Sequence, residues 1–374
     1  MNLIAAVIIV KLDCNELVAS ATKVTDERVA YHLTHRHART KTLALKTAFG
    51  KLMMSRRGFT VIELVVALAV VGLLCSLLAP AIMSARAAAR KMQCSSHLRQ
   101  LGLATSNYGA THNCMPPGIV NFYSWLVMLL PYVDQNDLYR RFDFADSEMS
   151  TFQSDDKHPV SRAYIGVFKC PSDPLAALRG GGSPAHSYHG CTGSGLLQGG
   201  FNGLIRNSYE GCVFGRFPTG IVRYADVSNG LSNTVLASER LVGDESGHLL
   251  RNNWIMTSLY SVPSELSNFR AACLVETPRA IAGGGWYGHP QNGHQWWDGV
   301  IGGTLYNHTM TPNLQSCDHN DAPEYGAFTA SSLHTGGVNV VYGDGHAAFV
   351  SQHVDSVVWA KMGSRVNSDL SQCP

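Results

Sequence analysis

The sequence predicts an α+β fold in which a long N-terminal transmembrane helix packs on a loop-rich globular domain containing antiparallel strands. Three observations carry this. From Phe59 to Met83 the only formally charged side chain is Glu63, in a run long enough to cross a hydrocarbon core of ~30 Å at ~1.5 Å per residue. Beyond Pro80 a helical period continues: Ala87, Cys94, Leu101 and Tyr108 recur every seven residues with Leu98 between them, while Arg86, Arg90, Lys91 and Arg99 stay off that stripe. Near the C-terminus, VNVVYGDGHAAFV from Val338 to Val350 reads as a hairpin, because Gly343-Asp344-Gly345 tolerates the positive φ of a tight turn.

In chain order, residues 1–58 form a leader, 59–83 the span, 84–109 its helical continuation with Asn107 and Gly109 ending it, and 110–374 the globular domain. Met1 to Met53 opens with a ten-residue apolar run too short to span, and Met54-Ser55-Arg56-Arg57-Gly58 alone would make a complete short leader. The true start is therefore placed at Met53 or Met54, or the leader is unusually long. Its basic residues suit the cytoplasmic side of the span. A carboxylate within a span costs on the order of 2.5 to 3.5 kcal/mol and calls for a partner. Cutting the chain between Gly58 and Phe59 would supply one, since the new α-amine of Phe59 is a cation that Glu63 of a neighbouring subunit could neutralise. An ordinary single-pass anchor with a chance Glu63 accounts for the apolar run but not for the Arg-Gly-Phe boundary.

These residues resemble a known signal. Arg57, Gly58, Phe59, Thr60 and Glu63 before an unbroken apolar run look like the prepilin cleavage and methylation signal of type IV pilins and secretion pseudopilins. The resemblance implies cleavage after Gly58 by a prepilin peptidase, methylation of Phe59, Glu63 as the fifth residue of the mature chain and Pro80 as its helix-loosening proline. It also implies a pseudopilin-like fold, assembly with other pilin-like subunits through the N-terminal helix, and storage in the cytoplasmic membrane with the C-terminal domain outside. A second resemblance covers nearly all of Arg57 to Val350: MQCSSHLRQLGLATSNY, PPG at Pro116, SWLVMLLPYVDQNDLYRRF, KCPSDP, RYADVSNGLSNTVLASER and His334-x9-Asp344-Gly345 occur in order. These blocks are similar to a bacterial family joining a prepilin-type N-terminus to a domain of unknown function with an H-X9-DG signature. That family implies no established enzymatic activity, and its blocks point to Cys94 and Cys170 as the first disulfide pair.

Composition bounds the rest. Cleavage after Gly58 leaves 316 of 374 residues, enough for a sizeable core. A net charge of +2 with 15% charged residues gives no reason to expect nucleic acid, and 36 glycines imply many loops. Of ten cysteines, Cys14 falls in the leader and Cys75 in the span; the remaining eight allow 105 pairings and suit an oxidising compartment.

Along the domain, Trp125 to Phe142 suggests two short helical pieces joined at Pro131. Short strands are expected around Gly220–Tyr224 and Asn233–Ala237. A boundary or loop is expected near residues 171–185, with further loops at Gly283-Gly284-Gly285 and Gly302-Gly303. No CxxC, HExxH or GxSxG occurs, so neither zinc nor catalysis is expected from His186-x2-His189, His289-x4-His294 or the group His334, His346 and Asp344. His334 and Asp344 are expected to hold the hairpin and its preceding loop through backbone hydrogen bonds. No cofactor is expected; calcium fits better than zinc, by resemblance to pseudopilins, with Asp318, Asn320, Asp321 and Asp344 as oxygen ligands. Asp226, Asn229, Ser232 and Asn233 form another oxygen-rich stretch that Asx turns explain without an ion. Trp286, Tyr287, Trp296 and Trp297 read either as a sugar-stacking face or as a small core under long loops. The reading is a membrane-anchored pilin-like subunit; the alternative is a membrane-tethered solute- or glycan-binding protein that does not polymerise.

Overall fold

The computed structural model describes residues 60–120, 123–142, 144, 163–178, 185–194, 202–205, 221–244, 248–256, 266–275, 288–289, 292–299, 302–319 and 322–366. The chain divides into two compact units, Met1–Leu68 and Ala69–Pro374, so the second begins inside the long helix and not at its end.

Helix α1 (Val61–His112) opens on a reciprocal cap. Thr60 Oγ1 accepts from the Glu63 amide at 3.3 Å, and Glu63 Oε2 accepts from the Thr60 amide at 2.9 Å. Two N–H groups that the first turn leaves unpaired are thereby satisfied. Pro80 lies within α1 without ending it, although its missing N–H leaves the Ser76 carbonyl without its usual donor. The helix ends three residues later than the sequence suggests. Gly109 proves to be a packing glycine, since the Tyr224 ring fills the space a Cβ would need. Termination falls to Asn113, at φ 56°, whose amide donates to Gly109 O at 2.8 Å.

Burial on α1 starts at Cys94 and continues through Leu98, Leu101, Thr105 and Tyr108, a spacing of three and four that makes one face. Ala87, expected on that stripe, is exposed, as is every described residue from Thr60 to Arg90. The stripe meets a core of Trp125–Leu130, Phe168, Tyr188, Leu236, Trp296, Trp297 and Val341.

After β1 (Ile119–Val120) and β2 (Tyr123–Ser124) come α2 (Trp125–Leu129), a 3₁₀ turn at Leu130–Tyr132 carrying Pro131, and α3 (Asn136–Tyr139). All of Trp125–Leu130 is buried, and Trp125 Nε1 donates to Thr304 O at 3.1 Å. The rest comprises a 3₁₀ turn at Gly166–Phe168, α4 (Pro174–Leu178), β3 (Tyr188–Cys191), β4 (Val235–Glu239), β5 (Asn253–Met256), α5 (Leu266–Val275) and β6 (Gly288–His289). Then follow β7 (Leu305–Tyr306), β8 (Ser316–His319), β9 (Ala322–Ala327), β10 (Gly337–Tyr342), β11 (Ala347–Ser351) and α6 (Ser356–Gly363).

One sheet has the order β11-β10-β4-β3-β7 and a second β6-β5-β8-β9. The architecture is α+β, and the pairs are antiparallel except for β3 with β7 and β5 with β8. Parallel pairing needs a long crossover, which the segments from Cys191 to Leu305 and from Met256 to Ser316 provide. The β10–β11 hairpin pairs Val338 with Val350 and Val340 with Ala348, and Gly345 takes φ 89° at its turn.

Two local expectations are corrected. Residues 221–223 form no strand; Asp226 Oδ2 accepts from the Arg223 amide at 2.8 Å and winds Tyr224–Asp226 into a 3₁₀ turn. Nor does a domain boundary follow Pro171: buried Asp173 binds Arg251 Nη1 at 2.9 Å and the Val242 amide at 2.8 Å, fixing this stretch within the unit that starts at Ala69. Residues 179–184 and Gly283–Gly285 lie outside the described residues.

Contact between α1 and the hairpin depends on two glycines. A Cβ on Gly102 would lie 2.7 Å from Gly345 Cα and 2.8 Å from Val341 Cγ2. Gly102→Ala is therefore expected to destabilise the domain by about 1–3 kcal/mol, despite alanine's better helix propensity. A midpoint in denaturant equal to or above that of the wild type would contradict this packing.

Candidate functional site

Two places in the chain carry chemistry that packing alone does not require. The first is the start of α1. Glu63 Oε2 accepts from both the amide and the hydroxyl of Thr60 at 2.9 Å, while Glu63 Oε1 has no hydrogen bond among the described residues. Around it Val61, Ile62, Leu64 and Val65 are all more than half exposed. The helix is long and apolar enough to cross a bilayer and fits a single-pass membrane anchor. Gly58 and Phe59 lie outside the described residues.

The second place is buried. Cys94, at the first buried position of α1, forms a disulfide with Cys170, which follows the Gly166–Phe168 turn. Glu239, the last residue of β4, and His334, in the segment before β10, close around the same point. Cys170 Sγ lies 3.5 Å from His334 Nε2 and 3.8 Å from Glu239 Oε1, and His334 Nε2 stands 3.2 Å from Glu239 Oε1. A carboxylate only accepts, so Nε2 carries the proton and donates. Glu239 is further held by Asn339, whose amide donates to Oε2 at 2.8 Å and whose Nδ2 donates to Oε1 at 2.9 Å. Burial of this carboxylate is thus balanced by three donors.

This geometry corrects the expectation for His334, which acts mainly through the Glu239 carboxylate and not through backbone groups. Nor does His334 group with Asp344 and His346. Asp344 Oδ1 accepts from the His346 amide at 3.1 Å and faces His346 Nδ1 at 2.6 Å, closing the β10–β11 turn on itself. A backbone bond does fix the segment before the hairpin: the His334 amide donates to Ser332 Oγ at 3.1 Å.

Most other candidates are held by separate neighbours. His294 Nε2 faces Gly243 O at 3.1 Å and His189 Nε2 faces Asn292 Oδ1 at 3.0 Å. Asn229 is drawn to Ser364 O, with its Nδ2 at 2.7 Å. Asn320 and Asp321, and the side chains of His289 and Asp318, lie outside the described residues, as do Trp286 and Tyr287. Trp296 and Trp297 are buried in the main core and offer no exposed stacking face. Sequence reasoning missed Glu239 and the second disulfide, Cys273–Cys317. Glu239 had a signal: a carboxylate ending VLASE, an otherwise uncharged strand, needs a partner in the interior.

The family described as "Protein of unknown function (DUF1559)" matches residues 83–356, which is more than half of the chain. The chain belongs to the DUF1559 family. Ahead of that domain, and overlapping it in no residue, the prokaryotic N-terminal methylation motif matches residues 53–79. No curated protein and no solved structure matches the chain. This DUF1559 protein is therefore prepilin-like at its N-terminus, and neither matched description is that of an enzyme.

The interior of this DUF1559 domain also holds histidines that cannot easily charge. His308 stacks on Trp359 with ring centroids 3.6 Å apart; its Nδ1 donates to Trp359 O at 2.7 Å, and its Nε2 accepts from the Tyr306 hydroxyl at 2.9 Å. His186 stacks on His189 at 4.7 Å, and neither ring nitrogen of His186 makes a hydrogen bond of standard geometry. Burial pushes both His186 and His308 down to about 3, the nearby Gly293 and Gly303 backbone only partly opposing the shift at His186. The unfolded chain binds these protons near pH 6.5, so their contribution is complete above that pH and is lost as pH falls towards 3. At pH 5 each should cost about 2 kcal/mol of stability. Denaturant unfolding of the detergent-solubilised chain at pH 7 and pH 5 measures this, and equal stability at both would refute neutral burial.

Proposed function

We propose that this protein is a membrane-anchored structural subunit of a type IV pilus-like or type II secretion-like assembly. A prepilin peptidase cleaves it after Gly58 and methylates Phe59. Before assembly it sits in the cytoplasmic membrane, with the basic leader residues Arg56 and Arg57 inside and the DUF1559 domain outside. Assembly exchanges lipid around the exposed face of α1 for the helices of other copies, with Pro80 as a loosened point in the span.

The observation that carries this reading is Glu63, a carboxylate in an exposed apolar turn whose Oε1 accepts no hydrogen bond among the described residues. A carboxylate there is costly in lipid, and the Phe59 amine released by cleavage in a neighbouring copy would offset that cost. Of the four aromatics behind the tethered solute- or glycan-binding alternative, Trp296 and Trp297 are buried, while Trp286 and Tyr287 lie outside the described residues.

Mass analysis of the mature N-terminus is expected to show a chain beginning at N-methylated Phe59. In a Glu63→Leu variant, cleavage should persist while incorporation into filaments is lost, because the charge-assisted bond between subunits is missing. A stable product that retains residues 57–60 in one chain, or normal assembly of Glu63→Leu, would overturn the proposal.

A further inference from the structure

Among the described residues, Cys94, Cys170, Glu239 and His334 are the one group whose ligating atoms all lie within 4.8 Å of one another, and all four are buried. We propose that this cluster is a redox-gated site for a divalent cation of the zinc class, closed by the Cys94–Cys170 disulfide and opened by its reduction. The inference does not depend on the assembly role proposed above.

Geometry supports it. A tetrahedral zinc with bonds of about 2.3 Å to sulfur and about 2.0–2.2 Å to nitrogen and oxygen places sulfur roughly 3.6 Å from nitrogen or oxygen, and nitrogen roughly 3.4 Å from oxygen. The separations found are 3.5 Å from Cys170 Sγ to His334 Nε2, 3.8 Å from Cys170 Sγ to Glu239 Oε1, and 3.2 Å between Nε2 and Oε1. Three of the four ligating atoms are thus already spaced for one ion. Parting the two sulfurs to about 3.8 Å, as two thiolates on one metal require, completes the set. The ligand set of two sulfurs, one imidazole and one carboxylate suits zinc.

The surroundings complete the case. Asn339 holds both oxygens of Glu239, the outer-shell support that ligating carboxylates ordinarily have. His334 also forms part of the wall of a cavity of about 580 Å³ whose lining includes Arg90, Lys91, Pro171 and Ser172, which gives solvent a route to the cluster. Two thiolates, one carboxylate and a dication sum to a charge of −1, which Arg90 and Lys91 in that lining would offset.

The chemistry balances. A dithiol reductant passes two electrons and two protons to the Cys94–Cys170 bond, which breaks to two thiols as the reductant closes its own disulfide. Binding of the dication then releases one proton from each thiol, while His334 frees Nε2 by carrying its proton on Nδ1. Reoxidation by a disulfide donor re-forms the S–S bond, two thiolates giving up two electrons, and expels the ion. In either state α1 stays cross-linked to the segment at residue 170.

The test uses the full chain in detergent, treated with a dithiol or left oxidised, then titrated with Co²⁺ and with Zn²⁺ as competitor. Reduced protein is expected to bind one Co²⁺ with a thiolate-to-metal charge-transfer band and the visible bands of a tetrahedral ion, bleached by Zn²⁺. Oxidised protein should show neither. Cys94→Ser and Cys170→Ser should lose the charge-transfer band or halve it, while Glu239→Gln and His334→Ala should weaken binding about 10- to 100-fold. Cys273→Ser with Cys317→Ser should leave the spectrum unchanged. Three results would each overturn the proposal: no thiolate band in reduced protein that is still folded by circular dichroism, a band undiminished in the Cys94→Ser and Cys170→Ser variants, or reduced protein that stays unfolded with Co²⁺ present.

Discussion

The structure depends on how one continuous helix passes from exposure to burial at Cys94. From Thr60 to Arg90 every residue of the chain is exposed, apolar through the span and carrying Arg86 and Arg90 beyond it; from Cys94 on, one face of α1 is committed to the core. At ~1.5 Å per residue, the stretch of α1 with a buried face runs ~28 Å from Cys94 to the helix end. Cys94 is also the residue joined covalently to the segment at residue 170. Further along, Gly102 meets Gly345 so closely that the helix backbone rests against the hairpin turn without side chains between them. The covalent tie and the close approach act on the same face, about two turns apart.

The domain behind that face is held as much by buried polar groups as by apolar ones. Its strands are short, so many backbone groups fall in loops and cannot find ladder partners. Side chains fill the gap. Arg240, almost wholly buried, donates from Nη1 to Gly302 O at 2.6 Å, and Asn292 Nδ2 donates to Leu241 O at 2.7 Å. Asn307 spans to β9, its Nδ2 donating to Gly326 O at 2.7 Å and its Oδ1 accepting from the Phe328 amide at 3.1 Å. The buried Asp173–Arg251 pair, at 2.9 Å, is completed by the Val242 amide and the Val242 carbonyl. Each of these bonds adds little net free energy when made, but losing one partner leaves a buried group unsatisfied at about 1–3 kcal/mol. Such an interior tolerates few substitutions and specifies its loops tightly.

What the sequence shows of this molecule is what is local in it. The span, the proline-broken helices after Ser124 and the Gly343–Gly345 turn all follow from neighbours within a few residues. Where two local signals competed, the stronger hydrogen bond won: Ile221–Tyr224 has strand-like composition, but the Asp226 carboxylate reaches back to Arg223 and winds a turn. The illegible parts are those set by distant segments. Nothing near Glu239 announces His334, which lies 95 residues further on, and the parallel pairing of β3 with β7 depends on a crossover of more than a hundred residues. The end of α1 is missed for the same reason, because Gly109 is dictated by Tyr224 and not by the turn that follows it.

The placement of Glu239 explains why the DUF1559 domain and the helix form one structural problem. Glu239 ends β4, the strand that lies between β3 and β10 in the larger sheet, so its carboxylate is fixed by the sheet itself and by Asn339 of the neighbouring strand. Cys94 is fixed by the helix, Cys170 by the turn at Gly166–Phe168, and His334 by the segment leading into β10. Four elements drawn from across the sequence therefore meet at a point where no single one of them is free to move without the others. A carboxylate placed there is expensive unless its partners arrive with it, so the cluster forms only when helix, turn, sheet and hairpin have all assembled. Folding of the domain and docking of the helix are coupled through this charge, and the Cys94–Cys170 disulfide makes that coupling covalent.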